Sequence, residues 1–261
     1  EKASSVIYYG LHGLQHRGQE GAGISVFDSE GNFYHHKGLG LINEVFNGDR
    51  LSRLKGHIGI GTTQYANVKK GGLDNVEPLY FHHRGGDMCI AGDGSLVNSS
   101  LIREFLESRG TILHTMTDSE LLAHLIKKEA DEPRIFTIME ALDRLEGSFA
   151  FVIMTQNRLY ACRDKYGLRP LAIGKLGDGY VVSSETCAFD VMGAEFLRDV
   201  EPGEIVTIDD KGLRSRKYSL KSEHNMCSME YIYFARPDSD IEGCNVHAYR
   251  KESGRRLYQE S

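Results

Sequence analysis

The stretch MCIAGDGSLVN, Met88 to Asn98, sets Gly92 and Gly94 around Asp93 directly after a short apolar run. Gly and Asp are the residues a turn uses most, so one reading is a turn closing a strand. The other is an active-site loop. Further along, TDSE places Thr117 three residues before Glu120, the spacing of a capping box. Asp118 between them reads as a charge at a helix start, with Thr117 or Asp118 as the cap. The five cysteines, at 89, 162, 187, 227 and 244, are scattered without a CxxC pair. Their odd number argues against a disulfide scaffold, and each alone reads as a small buried apolar residue. A cytoplasmic compartment is the expectation.

The elements that must position these residues come from a chain of 261 residues, 40% apolar and 26% charged, with five prolines. That composition describes a soluble globular protein, one large domain or one with an appendage. No stretch is apolar for long enough to span a membrane, and the opening EKASSVIYYG is not a secretory signal, so no membrane partner is expected. A net charge of -6, with both signs mixed along the chain, gives no reason to expect nucleic acid. The small basic groups VKK and RSRK read as solvated faces.

Helical spacing runs through Val6, Leu11 and Leu14 into a glycine-rich bend at Gly18, Gly21 and Gly23. AGISVFD and FYHHKG read as a hairpin around EGNF. LINEVF to LSRLKG gives short helical pieces, HIGIGTTQYA a strand entering a loop, and VKKGGLDNVEP a long loop. DMCIAGDGSLVN is strand then turn. Three helices follow, NSSLIREFLESRG, TDSELLAHLIKKEA and RIFTIMEALDRLEG, and then the strands SFAFVIMT, RLYACRD, PLAIGKLG, GYVVSSE and GEIVTID. Strands, then helices, then strands indicate α+β layers with antiparallel sheet. A dinucleotide fold would need GxGxxG between strand and helix, which is absent. The aromatic-rich end, from Asn225 on, turns helical and stops without a cap or glycine, as a chain ending inside a helix would.

Taken in order, several segments resemble one family. They are GLHGLQHRGQEGAGI at 10–24, HKGLGLINEVF at 36–46, DNVEPL at 74–79 and RDKYGLRPLAIG at 163–174, then SSETCAFDVMGAEFLRDVEPGE at 183–204 and CSMEYIYFARPDS at 227–239. Together they resemble the N-terminal glutaminase domain of the glutamine phosphoribosylpyrophosphate amidotransferases, class II glutamine amidotransferases of purine biosynthesis. The resemblance implies a four-layer αββα sandwich of the N-terminal-nucleophile type. It also implies a glutaminase domain over residues 1–223, lacking its first strand, and at 224–261 the start of a linker and helix leading to a phosphoribosyltransferase domain not in this chain. Glutamine is the implied substrate, and a homo-oligomer is implied by full-length relatives.

The same resemblance assigns site residues. Glutamine hydrolysis in this class uses an N-terminal cysteine with its own α-amine as base. The family register places that thiol upstream of Glu1, and no internal cysteine carries a free α-amine. Where the family has an arginine for the glutamine carboxylate stands Gln64, which supplies neither charge nor guanidinium fork, for a loss of roughly 2–4 kcal/mol of binding. Where it has the oxyanion-hole asparagine stands Asp93, followed by a retained Gly94. Losing one such donor costs about 3 kcal/mol, and an ionised Asp93 would face the developing negative oxygen. Asp118 matches the acceptor of the α-ammonium. Arg17 matches an arginine that orients the N-terminal region, with a purely structural role equally open. Gly71 and Gly72 match a mobile lid. Cys227 matches one ligand of an iron–sulfur cluster whose other ligands lie outside the chain. Since one thiolate holds no cluster, no cofactor is expected in this chain, and a cluster or magnesium belongs only to a full-length parent. The implied function is ammonia release from glutamine, inactive in this chain as it stands. The alternative is a glutaminase-like fold kept as a binding or scaffold module.

Overall fold

Seven consecutive buried residues make strand β1 (Gly21–Phe27), which β2 (Phe33–Leu39) and β3 (Ile58–Gln64) flank as antiparallel neighbours. A central strand covered on both faces has no polar side to show, which explains its unbroken small and apolar sequence. The computed structural model describes residues 2–65, 72–82, 86–126 and 133–260. A second, six-stranded sheet runs in the order β12 (Gly212–Lys217), β11 (Glu204–Asp209), β7 (Arg158–Arg163), β6 (Gly147–Thr155), β5 (Met88–Leu96) and β4 (Leu79–Phe81). A third places β8 (Ala172–Leu176) between β10 (Glu195–Asp199) and β9 (Gly179–Ser183). All these pairings are antiparallel.

Period-two alternation sorts the strands into layers. On β5, Cys89 and Ala91 join Phe27, Ile60, Met154 and Leu159 in the core between the sheets. Met88 and Ile90 point the other way, onto α4 (Ser99–Ser108), α5 (Asp118–Leu125) and α6 (Arg134–Asp143), where Leu106, Leu121, Leu122, Ile138 and Leu142 meet them. On the far side, α1 (Ala3–Gly13), α2 (Ile42–Val45) and α3 (Gly48–Arg53) cover β1 through Leu11, Ile24, Val26 and Val45. The short α7 (Cys187–Met192) packs beside α1. Helices, sheet, sheet and helices give the four-layer α+β sandwich.

Two local expectations are corrected. The GDG stretch is not a turn: β5 continues through it to Leu96, in register with β6 from Cys89↔Met154 to Leu96↔Gly147. Glycine is required there by close approach rather than by a bend. Gly94 has φ +136°, and a Cβ on it would stand 2.1 Å from the Ser148 carbonyl oxygen. The capping box is half formed. Thr117 Oγ1 accepts the Glu120 N–H at 3.3 Å, but the Glu120 carboxylate turns to the His114 and Thr115 N–H groups, both at 2.7 Å.

Beyond residue 223 the chain is tied to the body. A π-helical turn, Glu230–Phe234, buries Glu230 completely. A small hairpin, β13 (Asp240–Ile241) with β14 (Cys244–Asn245), leads into α8 (Val246–Glu260). Buried Arg163 donates to Glu242 at 2.7 Å, and Ser239 donates to Glu185 at 2.7 Å.

Candidate functional site

The end of β3, the middle of β5 and the start of α5 converge on one small cleft. Its lining includes Gln64, Glu77, Asp93, Gly94, Asp118 and Ser119, with Phe149 and Phe151 as apolar walls, around a volume of about 40 Å³. Four of the five residues singled out from the sequence therefore meet: Gln64, Asp93, Gly94 and Asp118. Arg17 stands behind Asp93 rather than in the lining.

The backbone of β5 organises the acids. Beyond the end of β4 its outer edge loses its strand partner, and two carboxylates take over. Glu77 accepts the Gly92 N–H at 2.8 Å, and Asp118 accepts the Leu96 N–H at 2.9 Å. Strand alternation puts the Gly94 N–H on that same edge, between them. A side chain at Gly92 would also close the site, since its Cβ would lie 2.4 Å from the Phe151 ring.

Burial pushes the Glu77 carboxyl up to about 7, against the Ser119 hydroxyl and the Gly92 N–H, with nearby Asp118 adding to the rise and Lys37 opposing it. Burial likewise raises Asp118, against the Leu96 N–H and Arg103. Gln64 is committed to structure: its Oε1 accepts the Glu77 N–H at 2.6 Å. The amide at this position thus links β3 to the segment carrying Glu77.

Asp93 belongs to a charge cluster. Its Oδ2 accepts from Arg17 at 2.7 Å, and the Arg169 Nε lies 4.0 Å from its Oδ1. Desolvation works against its ionised form, yet Arg17 and then Arg169 hold its carboxyl below the usual range. Arg17 also donates to Glu185 and Glu230, each at 2.8 Å, and Arg169 to Glu230 at 2.9 Å. Both guanidiniums lie over the Phe234 ring, at 5.8 and 5.4 Å. Burial disfavours the charge on Arg17, but Asp93, Glu230 and Glu185 together hold it well above its ordinary range. Burial also opposes the charge on Glu185, yet His16, at 2.6 Å, and Arg17 bring it down to about 2. Asp93 thus lines the cleft as a carboxylate whose charge is shared with Arg17 through Oδ2 and faces Arg169 through Oδ1. Arg17 thereby ties β5 to Glu185 and to the turn at Glu230.

No cysteine lines the cleft among the described residues. Burial pushes the thiols of Cys89 and Cys187 up to about 12 and that of Cys162 higher still, so none supplies a thiolate near neutrality. Cys227 and Cys244 are half-buried and free. No group of three or more His, Cys, Asp or Glu side chains is placed to hold a metal among the described residues. Cys227 offers a single thiol, which does not fit an iron–sulfur cluster. No helix among them is long and apolar enough to cross a membrane. Gly71 of the expected lid lies outside the described residues; Gly72 opens a 3₁₀ turn, Gly72–Asn75.

The glutamine amidotransferase domain family matches residues 73–191, which carry most of the cleft. Amidophosphoribosyltransferase of Bacillus subtilis (strain 168) is 50% identical over 262 aligned positions, covering 100% of this chain and 55% of the relative. This chain is homologous to the glutaminase domain of the amidophosphoribosyltransferases. The enzyme of Staphylococcus aureus (strain Mu50) is 44% identical over 100% of this chain and 53% of its own length. A solved structure of the B. subtilis glutamine phosphoribosylpyrophosphate amidotransferase, complexed with ADP and GMP, superposes with TM-score 0.95 at 49% identity, over 100% of this chain and 56% of that one. A class-II glutamine aminotransferase domain protein from Silicibacter pomeroyi shares the fold, with TM-score 0.50 at 16% identity over 76% of this chain and 91% of that one. The chain spans about half the length of the amidophosphoribosyltransferases it matches.

Sequence reasoning missed Glu77, Ser119, Arg169, Glu185 and Glu230. All five sit inside segments that carried the resemblance or flanked a named residue: DNVEPL, TDSE, RDKYGLRPL, SSET and CSMEYIYF. Glu230 offered the clearest signal, an acid directly before the aromatic run YIYF. Pairing it with Arg17, 213 positions away, needed the fold.

Proposed function

We propose that this chain is the glutaminase portion of an amidophosphoribosyltransferase-type enzyme of purine biosynthesis, with the Gln64–Asp93–Asp118 cleft as its amide-substrate pocket. Ammonia made there would pass to a phosphoribosyltransferase domain acting on phosphoribosylpyrophosphate. The observation that carries the reading is the convergence of Asp118, Gly94, Asp93 and Gln64 on one cleft within a chain homologous to these enzymes from end to end. In this reading Asp118 is an acceptor for an ammonium group, the Gly94 N–H would meet a carbonyl oxygen, and Arg17 holds the Oδ2 of the lining residue Asp93.

No thiol lines the cleft among the described residues, so we propose that these 261 residues by themselves bind an amide without hydrolysing it. The test is ammonia release from L-glutamine by this chain, by Asp93→Asn and Gln64→Arg variants separately and together, and by a chain carrying a cysteine with a free α-amine ahead of Glu1. Silence in the first and release in the last is the expected pattern. Release by the unmodified chain would overturn the proposed inactivity, and silence from every version, with folding intact, would favour a binding module instead.

A further inference from the structure

Glu77 belongs to two sheets at once. Its backbone is seated on the three-stranded one. A Cβ on Gly23 of β1 would stand 2.2 Å from the Glu77 carbonyl oxygen, so the glycine leaves room for this segment to lie against the strand. Gln64 on β3 accepts the Glu77 N–H at 2.6 Å, and Lys37 on β2 donates to the Val76 carbonyl at 2.7 Å. Buried Asn75 accepts the Met116 N–H at 3.1 Å, just ahead of α5. The side chain crosses to the six-stranded sheet. The residue is 3% exposed, and its carboxyl accepts the Gly92 N–H of β5 at 2.8 Å and the Ser119 hydroxyl of α5.

A buried carboxylate is costly unless donors meet it. Here the donors belong to the edge and the helix that frame the cleft. Of three outward N–H groups on β5, Glu77 takes that of Gly92 and Asp118 that of Leu96, which leaves Gly94 between them in the lining. Gly94 sits at φ +136°, away from the ordinary strand region, and has no side chain to anchor it. The direction of its N–H therefore depends on what holds the residues to either side.

We propose that Glu77 is a positioning residue of the cleft: anchored on the first sheet, it fixes the outer edge of β5 so that the Gly94 N–H meets the carbonyl oxygen of an amide ligand. In the amide-substrate pocket on which this rests, Glu77 acts through Gly92 rather than on the amide itself. Its grip responds to a proton. Ionised, the carboxylate accepts from both Gly92 and Ser119, and a hydrogen bond to a charged acceptor is about twice as strong as a neutral one. Protonated, it still accepts the Gly92 N–H on one oxygen, while the other becomes a donor and Ser119 turns to accept. Burial pushes this carboxyl up to about 7, with Asp118 adding to the rise and Ser119, the Gly92 N–H and Lys37 opposing it; the Cys89 thiol also faces it. The hold on Gly92 therefore tightens as pH rises through neutrality.

Binding of propanamide, an uncharged amide, followed by ¹H–¹⁵N NMR on the folded chain tests this. The expected result is that propanamide binds about fivefold tighter at pH 8 than at pH 5.5, with the Gly94 amide of the free chain shifting over the same range. Glu77→Gln, whose side-chain amide can keep both partners, should bind with the parent's low-pH affinity at both pH values. Glu77→Ala should lose the probe and exchange its Gly94 amide hydrogen faster. Equal affinity at the two pH values in the parent, or a pH dependence that survives Glu77→Gln, would overturn the positioning role while leaving the amide pocket standing. A Gly94 amide that follows Glu77 while propanamide fails to bind would keep the positioning role and overturn the amide-pocket reading. Neither shift nor binding in the parent overturns both.

Discussion

Glu77 is the residue on which the acidity of the cleft turns. Its carboxyl sits at about 7, above the ordinary value of 4.5, and the groups facing it are Lys37, Cys89, Asp118, Ser119 and the Gly92 N–H. Between those two values the unfolded chain has released this proton while the folded chain still holds it. Stability therefore falls as pH rises through that window, by about 3 kcal/mol for this one group. Urea unfolding between pH 4.5 and pH 8 should show a steeper decline for the parent than for Glu77→Gln. Arg17 carries the opposite lesson. It neutralises two fully buried carboxylates, Glu185 and Glu230. Replacing it with Met should cost about 3–5 kcal/mol, read from the same unfolding curves, because both acids then lose a partner away from water. The sequence pointed to Asp93, Gln64 and Asp118 but not to their present chemistry. A residue's type and register are visible in a string of letters; whether its charge is met by a residue far along the chain is not.

At the level of elements, β5 does most to shape the site. Gly94 sits at φ +136° with the β6 backbone against it, so Gly94→Ala should destabilise by about 1–3 kcal/mol and shift the amides of Ser148 and Phe149. Helix α5 depends on a single side-chain cap, and Thr117→Ala should lower stability by about 1 kcal/mol, seen as a reduced melting temperature. Most helices and apolar strands were legible because their burial follows a simple period, as Met88, Cys89, Ile90 and Ala91 show by alternating between two cores. The exceptions have physical reasons. β12, GLRSRK, is a polar edge strand with no buried face to betray it. β10, EFLRD, is short and largely exposed. GDG looked like a turn because glycine serves tight bends and close strand contact equally well.

Across the whole molecule, the layered architecture follows from the order of strands, helices and strands, and the homology to amidophosphoribosyltransferases extends over all of it. The stretch after residue 223, which the resemblance implies is the start of a linker and helix, is joined through Glu230 to Arg17 and Arg169 in the charge cluster beside the cleft. Glu230→Gln should loosen that attachment, and hydrogen exchange should quicken at the amides of Glu230 and Ala235 before it does in β5 or β6. Uniform acceleration would show instead that the tail and the body open as one unit.

That cluster also has a bearing on synthesis. Arg17 leaves the ribosome early, and Asp93, Arg169 and Glu185 follow in turn, but Glu230 is made only near the end of these residues. Until it emerges, two guanidiniums destined for the interior share fewer anions than the finished protein provides. A growing chain halted just short of Glu230 would therefore lack the last-translated of the anions that Arg17 and Arg169 share in the finished protein.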